Sequence, residues 1–99
     1  MTRKMLKSYH AKKAEAEALR GEISKLYGSD TMETLRQQLE QTEREINEIA
    51  AFIRDCPDSD AKAIMTLMVF SDMTFEQIGA KLHQDRRTVS RALNKVLEN

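Results

Sequence analysis

The sequence has no tryptophan, one proline, three glycines, one cysteine and few aromatics, which make up 5% of its 99 residues. Each scarcity excludes something. Sheets and tight hairpins need turn formers and aromatic or β-branched strands, so an all-β fold is excluded. Cys56 has no internal partner for a disulfide, which excludes a stapled secreted scaffold and suits a reducing cytoplasm. No apolar run approaches the roughly 18–20 residues that cross a bilayer. The basic stretch 1–7 is followed by no apolar segment, so no signal peptide is expected. Metal binding needs converging ligands, and Cys56, His10 and His83 are not spaced as a ligand set. No phosphate-binding glycine loop, dinucleotide turn or nucleophile elbow occurs. The sequence therefore predicts neither an enzyme nor a metal or cofactor protein, with no catalytic residue to nominate.

Charge is what the chain has, at 32% of residues. Sixteen bases balance sixteen acids, so any attraction to a polyanion must come from a local patch. The charges are segregated. Residues 1–13 hold five bases and no acid, residues 14–55 ten acids and five bases, and residues 74–99 five bases and three acids. Unequal segments point to unequal roles.

Two long heptad seams occupy the first half. Met5, Tyr9, Lys12, Ala16, Leu19, Ile23 and Leu26 alternate by four and three, which predicts a helix over about 2–27 with Lys12 as the seam's flaw. Gly28 supplies a left-handed stop. Asp30 with Glu33 reads as a capping-box variant opening a second helix. Its seam is Met32, Leu35, Leu39, Thr42, Ile46, Ile49 and Ile53, ending by Cys56 because Pro57 disfavours helix just before it. Each helix is about 38 Å long at 1.5 Å per residue. So short a link predicts an antiparallel helical hairpin over residues 1–55, serving for oligomerisation, with a homodimer as the expected assembly. Residues 56–60 form a linker.

Residues 61–99 predict three helices. Asp58 or Ser59 caps the first, Ala61 to about Ser71, with Met65, Met68 and Met73 as flexible core filler. Thr74 caps the second, Phe75 to about Leu82, with Gln77 at the capping-box position. Asp85 caps the third, Arg86 to about Leu97. At about 100° per residue, Val89, Ala92, Leu93, Val96 and Leu97 share one side of the last helix, and Arg87, Ser90, Arg91, Asn94 and Lys95 the other. Long basic and amide side chains are the types that reach phosphates and base edges. Arg86 and Arg87 stand in the first turn, against the helix dipole, where a sequence selected for folding alone would place acids.

Helix, three-residue turn, basic helix is the outline of a helix-turn-helix. The strings AIMTLMVFSDMTFEQIGAKL and DRRTVSRALNKVL, about two fifths of the chain, resemble region 4 of sigma factors. Thr74 to Gly79 match the entry to that family's first motif helix, and Thr88 to Leu93 the start of its recognition helix. A short chain with a long helical arm ahead of such a module is similar to small phage transcription regulators of the ArpU and RinA kind. Five positions depart from the pattern. The family usually has glycine at Asp72 and His83, arginine at Met68, an aliphatic residue at Gln84 and serine at Asp85. Gln84 removes an apolar contact between the motif helices, and Asp85 still caps but repels a nearby phosphate.

The resemblance implies sequence-specific binding of double-stranded DNA by an all-α protein, with Arg86, Arg87, Ser90, Arg91 and Asn94 as contacts. Arg87, Arg91 and Asn94 are expected at base edges. Arg86, Ser90, Lys95 and Lys81 are expected at phosphates, and the basic N-terminus beside the motif could add to them. The rival reading is a protein-interaction module, its arm docking RNA polymerase or another regulator. A third is a purely structural helical oligomer.

Overall fold

Helix formers dominate the composition, and caps rather than glycines punctuate it. In the computed structural model, which describes residues 1–25 and 30–97, every regular element is a helix. These are α1 (Arg3–Lys7), α2 (Tyr9–Lys25), α3 (Asp30–Arg54), α4 (Ser59–Val69), α5 (Phe75–Leu82) and α6 (Arg86–Asn94). No described helix is long and apolar enough to cross a membrane. The expected Gly28 stop, the seam's Leu26 and the Asp30 cap fall outside the residues and side chains described.

The single helix expected over 2–27 is instead two. Thr2 caps α1, its hydroxyl accepting from the Met5 N–H. At Ser8 the hydroxyl donates to the Met5 carbonyl at 2.6 Å, and the Ser8 N–H is shared between the Lys4 and Met5 carbonyls. Such local bonding by serine competes with the helical ladder. The interruption separates segments with different partners, since α1 packs on α4 while α2 runs along α3. The expected seam fails at its first position for the same reason. Met5 is 39% exposed, and Leu6, turned toward α4, is 1% exposed.

Along α2 and α3 the seam behaves as its spacing predicts. Ala16, Thr42, Ile49 and Ile53 are buried, and Leu19, Ile23, Leu35 and Leu39 are half-buried. Lys12 is accommodated by an ion pair with Glu45, which also accepts from Gln41 at 3.0 Å. The Lys12 ammonium, through its hydrogen bond, is the main cause holding the Glu45 carboxyl below the usual range. Arg20 pairs with Glu43 farther along the same two helices.

The core lies where these helices meet α4. Ala61, Ile64 and Met65 have no solvent exposure, and around them pack Leu6, Ile53, Ile78, Val89 and Leu93. Tyr9 adds an edge-on contact to Phe70, ring centres 5.2 Å apart. Residues 56–60 turn the chain at the surface between α3 and α4, which both contribute to this core, and Asp58 caps α4 by accepting from the Ala61 N–H at 3.0 Å.

Candidate nucleic-acid interface

Three local devices fix α5 and α6. Thr74 and Gln77 form a reciprocal capping box: the Thr74 hydroxyl accepts from the Gln77 N–H, and the Gln77 side chain accepts from the Thr74 N–H. Asp85 caps α6, its carboxylate accepting from the Thr88 N–H at 2.8 Å. That backbone bond is the first cause of the lowered Asp85 pKa, with the Thr88 hydroxyl, the Arg87 N–H and the Arg91 charge adding to it. Between the helices His83 takes the left-handed conformation, φ 56° and ψ 42°. The N–H groups of His83 and Gln84 both donate to the Gly79 carbonyl there. Turn and helix approach so closely that a Cβ at Gly79 would lie 2.6 Å from the Gln84 carbonyl oxygen. Asp72, between α4 and α5, is also left-handed, at φ 53°.

The split expected around the last helix is present. Val89 and Leu93 are fully buried, and Arg86, Arg87, Arg91, Asn94 and Lys95 are exposed. The helix ends at Asn94 rather than near Leu97. The Lys95 N–H bonds both Arg91 and Leu93 carbonyls and the Val96 N–H bonds Leu93, a tightening that closes the last turn. Leu97 still reaches the core from beyond the helix end.

Among the described residues, no ion pair engages Arg86, Arg87, Arg91 or Lys95. Arg86 lines an open cleft of about 550 Å³ together with Lys7, His10, Asp72 and Glu76. Lys81, in the last turn of α5, is exposed and shares no hydrogen bond or ion pair with the α6 residues. The first turn of α6 carries no acid, so its two arginines oppose the dipole with only the Asp85 cap to offset them.

Ser90 and Asn94 are brought together by a residue that helical periodicity does not single out. The Arg3 guanidinium donates to Ser90 Oγ at 2.9 Å and to Asn94 Oδ1 at 2.8 Å, and lies 4.9 Å over the Phe75 ring centre. The sequence marks it only as one of five bases in the acid-free stretch 1–13, with its partners 87 and 91 residues away. No cluster of metal-ligating side chains occurs among the described residues. No family model matches the chain, and neither a curated protein nor a solved structure matches it.

Proposed function

We propose that the chain is a sequence-specific double-stranded DNA-binding regulator of transcription, and that it acts by binding rather than by catalytic turnover. In this reading α5, its turn and α6 are a helix-turn-helix, and α6 enters the major groove. Arg87 and Arg91 face base edges, and Arg86, Ser90 and Lys95 face phosphates. The observation that carries it is the solvent-facing guanidinium set of α6, which forms no ion pair among the described residues. Lysine and arginine exposed without neutralising partners release phosphate counterions on binding a duplex.

The two left-handed residues add support. Asp72 and His83 stand where the region 4 pattern carries glycine, the residue that takes such a conformation without strain. Gly79, kept from that pattern, is where side-chain atoms have no room. A module with few bases binds weakly alone. We therefore assign α2 and α3, with half-buried seam residues such as Leu35 and Leu39, the role of a helical hairpin that joins two copies. The same seam is what the rival reading would offer to RNA polymerase or another regulator.

The deciding experiment selects duplexes from a random pool and repeats the binding with an Arg87→Glu, Arg91→Glu double variant. Enrichment with steep salt dependence, lost in the variant while oligomeric state and melting temperature persist, is the expected result. Absence of enrichment by the wild-type protein refutes the proposal. Partner capture that survives the charge reversal, without DNA retention by either protein, favours the protein-docking reading.

A further inference from the structure

Arg3 is tied to α6 in a way that dictates what its two partners can still do. A guanidinium only donates hydrogen bonds. The Asn94 oxygen therefore faces Arg3, at 2.8 Å, and its amide nitrogen is the unspent end. Ser90 accepts from the same Nη2 at 2.9 Å, so its own O–H stays available to donate. Arg3 keeps Nη1 and Nε free of any described hydrogen bond. Among the described residues it has no carboxylate partner, so two neutral groups and the Phe75 ring face hold a full positive charge in place.

The unspent donors are guanidinium N–H, serine O–H and amide N–H, while the two oxygens have each given one of two lone pairs to Arg3. Reading adenine with asparagine requires its oxygen and nitrogen together on the base edge, and here the oxygen is held on the Arg3 side. A donor array around a cation matches an anionic acceptor instead. Its position agrees. Ser90 and Asn94 lie about 40° apart around α6, on the flank nearer α1, and Arg91 lies about 60° beyond Asn94 toward the outermost side.

We propose that Arg3, Ser90 and Asn94 form a seat for one phosphodiester of the DNA backbone, with Asn94 donating to phosphate and not reading adenine. The inference rests on the duplex-binding reading above. It makes the N-terminal helix part of the interface and gives α6 a fixed backbone contact beside its base-reading side. Phosphate contacts of this kind set orientation on the duplex without carrying sequence information.

The test titrates wild-type protein, Arg3→Ala, Arg3→Lys and Asn94→Asp against the pool-selected duplex and a scrambled one at several salt concentrations. Melting temperatures are measured alongside. Arg3→Ala is expected to weaken both duplexes by the same factor, about 5–10-fold, and to make the log–log salt slope shallower by about one, as loss of one phosphate contact requires. Arg3→Lys retains the slope. Asn94→Asp keeps or strengthens the tie to Arg3, so its melting temperature is unchanged or higher, while a carboxylate facing phosphate weakens both duplexes at least tenfold. Should Arg3→Ala fail to fold, Asn94→Asp decides alone. An unchanged slope in folded Arg3→Ala, altered preference at a single base pair, or full affinity in Asn94→Asp overturns the seat and leaves the DNA reading standing. If the wild-type protein binds no duplex, the DNA reading itself falls, and the seat with it.

Discussion

The same substitution, glycine to alanine, should have opposite signs at two helical positions of this chain. Gly21 is exposed within α2, and a Cβ there meets nothing within 4 Å. Alanine then adds only helix propensity, about 0.5–1 kcal/mol. Gly79 is buried in α5, where the added carbon would sit 2.6 Å from the Gln84 carbonyl oxygen. That neighbour is backbone, held by the Gln84 N–H bond to the Gly79 carbonyl at 2.9 Å, and cannot swing aside like a side chain. Overpacking typically costs about 1–3 kcal/mol, and so hard a contact belongs at the upper end. Subtracting the propensity gain leaves a net loss of about 1–2 kcal/mol. For a domain of this size, 1 kcal/mol shifts the melting midpoint by about 4–8 °C. Thermal unfolding followed by circular dichroism should therefore show Gly21→Ala higher by about 3–6 °C and Gly79→Ala lower by about 5–15 °C. Because the contact fixes the turn leading into α6, Gly79→Ala should also weaken duplex retention below its melting range if α6 binds DNA as proposed. Midpoints that move in the same direction would refute the reasoning.

The remaining expectations concern the same turn. His83→Gly removes a left-handed side-chain penalty of about 1–2 kcal/mol and adds a glycine entropy cost of about 0.5–1 kcal/mol. Denaturant unfolding should show a small net gain, and a loss would mean that His83 makes contacts outweighing its backbone strain. The Asp85 carboxyl titrates below its usual value in the folded chain, so its cap is at full strength above the ordinary aspartate range. Stability should fall as pH drops from about 5 through that lowered value, and Asp85→Asn, which can still cap, should flatten this part of a melting-temperature-against-pH curve. An identical acid slope in the variant would assign the loss to other carboxylates, Glu45 first.

What was legible in the sequence depended on how far each signal reaches along the chain. The starts of α5 and α6 rest on side chains three residues from the groups they cap, and Thr74, Gln77 and Asp85 were readable for that reason. The two sides of α6 were readable because one buried stripe repeats within the helix. The N-terminal helix was not. Heptad arithmetic finds a stripe but not its partner, and it carried the α2–α3 seam back through Met5. The contact that decides this segment is Leu6 against a core built from residues 49–97. Arg3 was out of reach for the same reason, since its partners are 87 and 91 residues away. His83 and Asp72 were seen as departures from a pattern, but only backbone angles disclose that both keep the glycine-like conformation.

The shared core gives the two halves of the molecule a fixed relation. Tyr9, Ile49 and Ile53, at the base of the α2–α3 pair, belong to the same buried cluster as Val89 and Leu93 of α6. Arg3 adds a polar tie between α1 and the outer flank of that helix. A long helical pair joined to a reading head by a flexible linker would let two copies accept many half-site spacings. A pair rooted in the same core as α6 cannot do so without exposing Ile49 or Ile53, at a cost of about 1.5–3 kcal/mol for each such side chain. If two copies join through the pair, as proposed, the separation of their α6 helices is built into the fold. Selected duplexes should then contain two half-sites at one spacing, and inserting about half a helical turn between them should reduce the affinity to that of a single half-site.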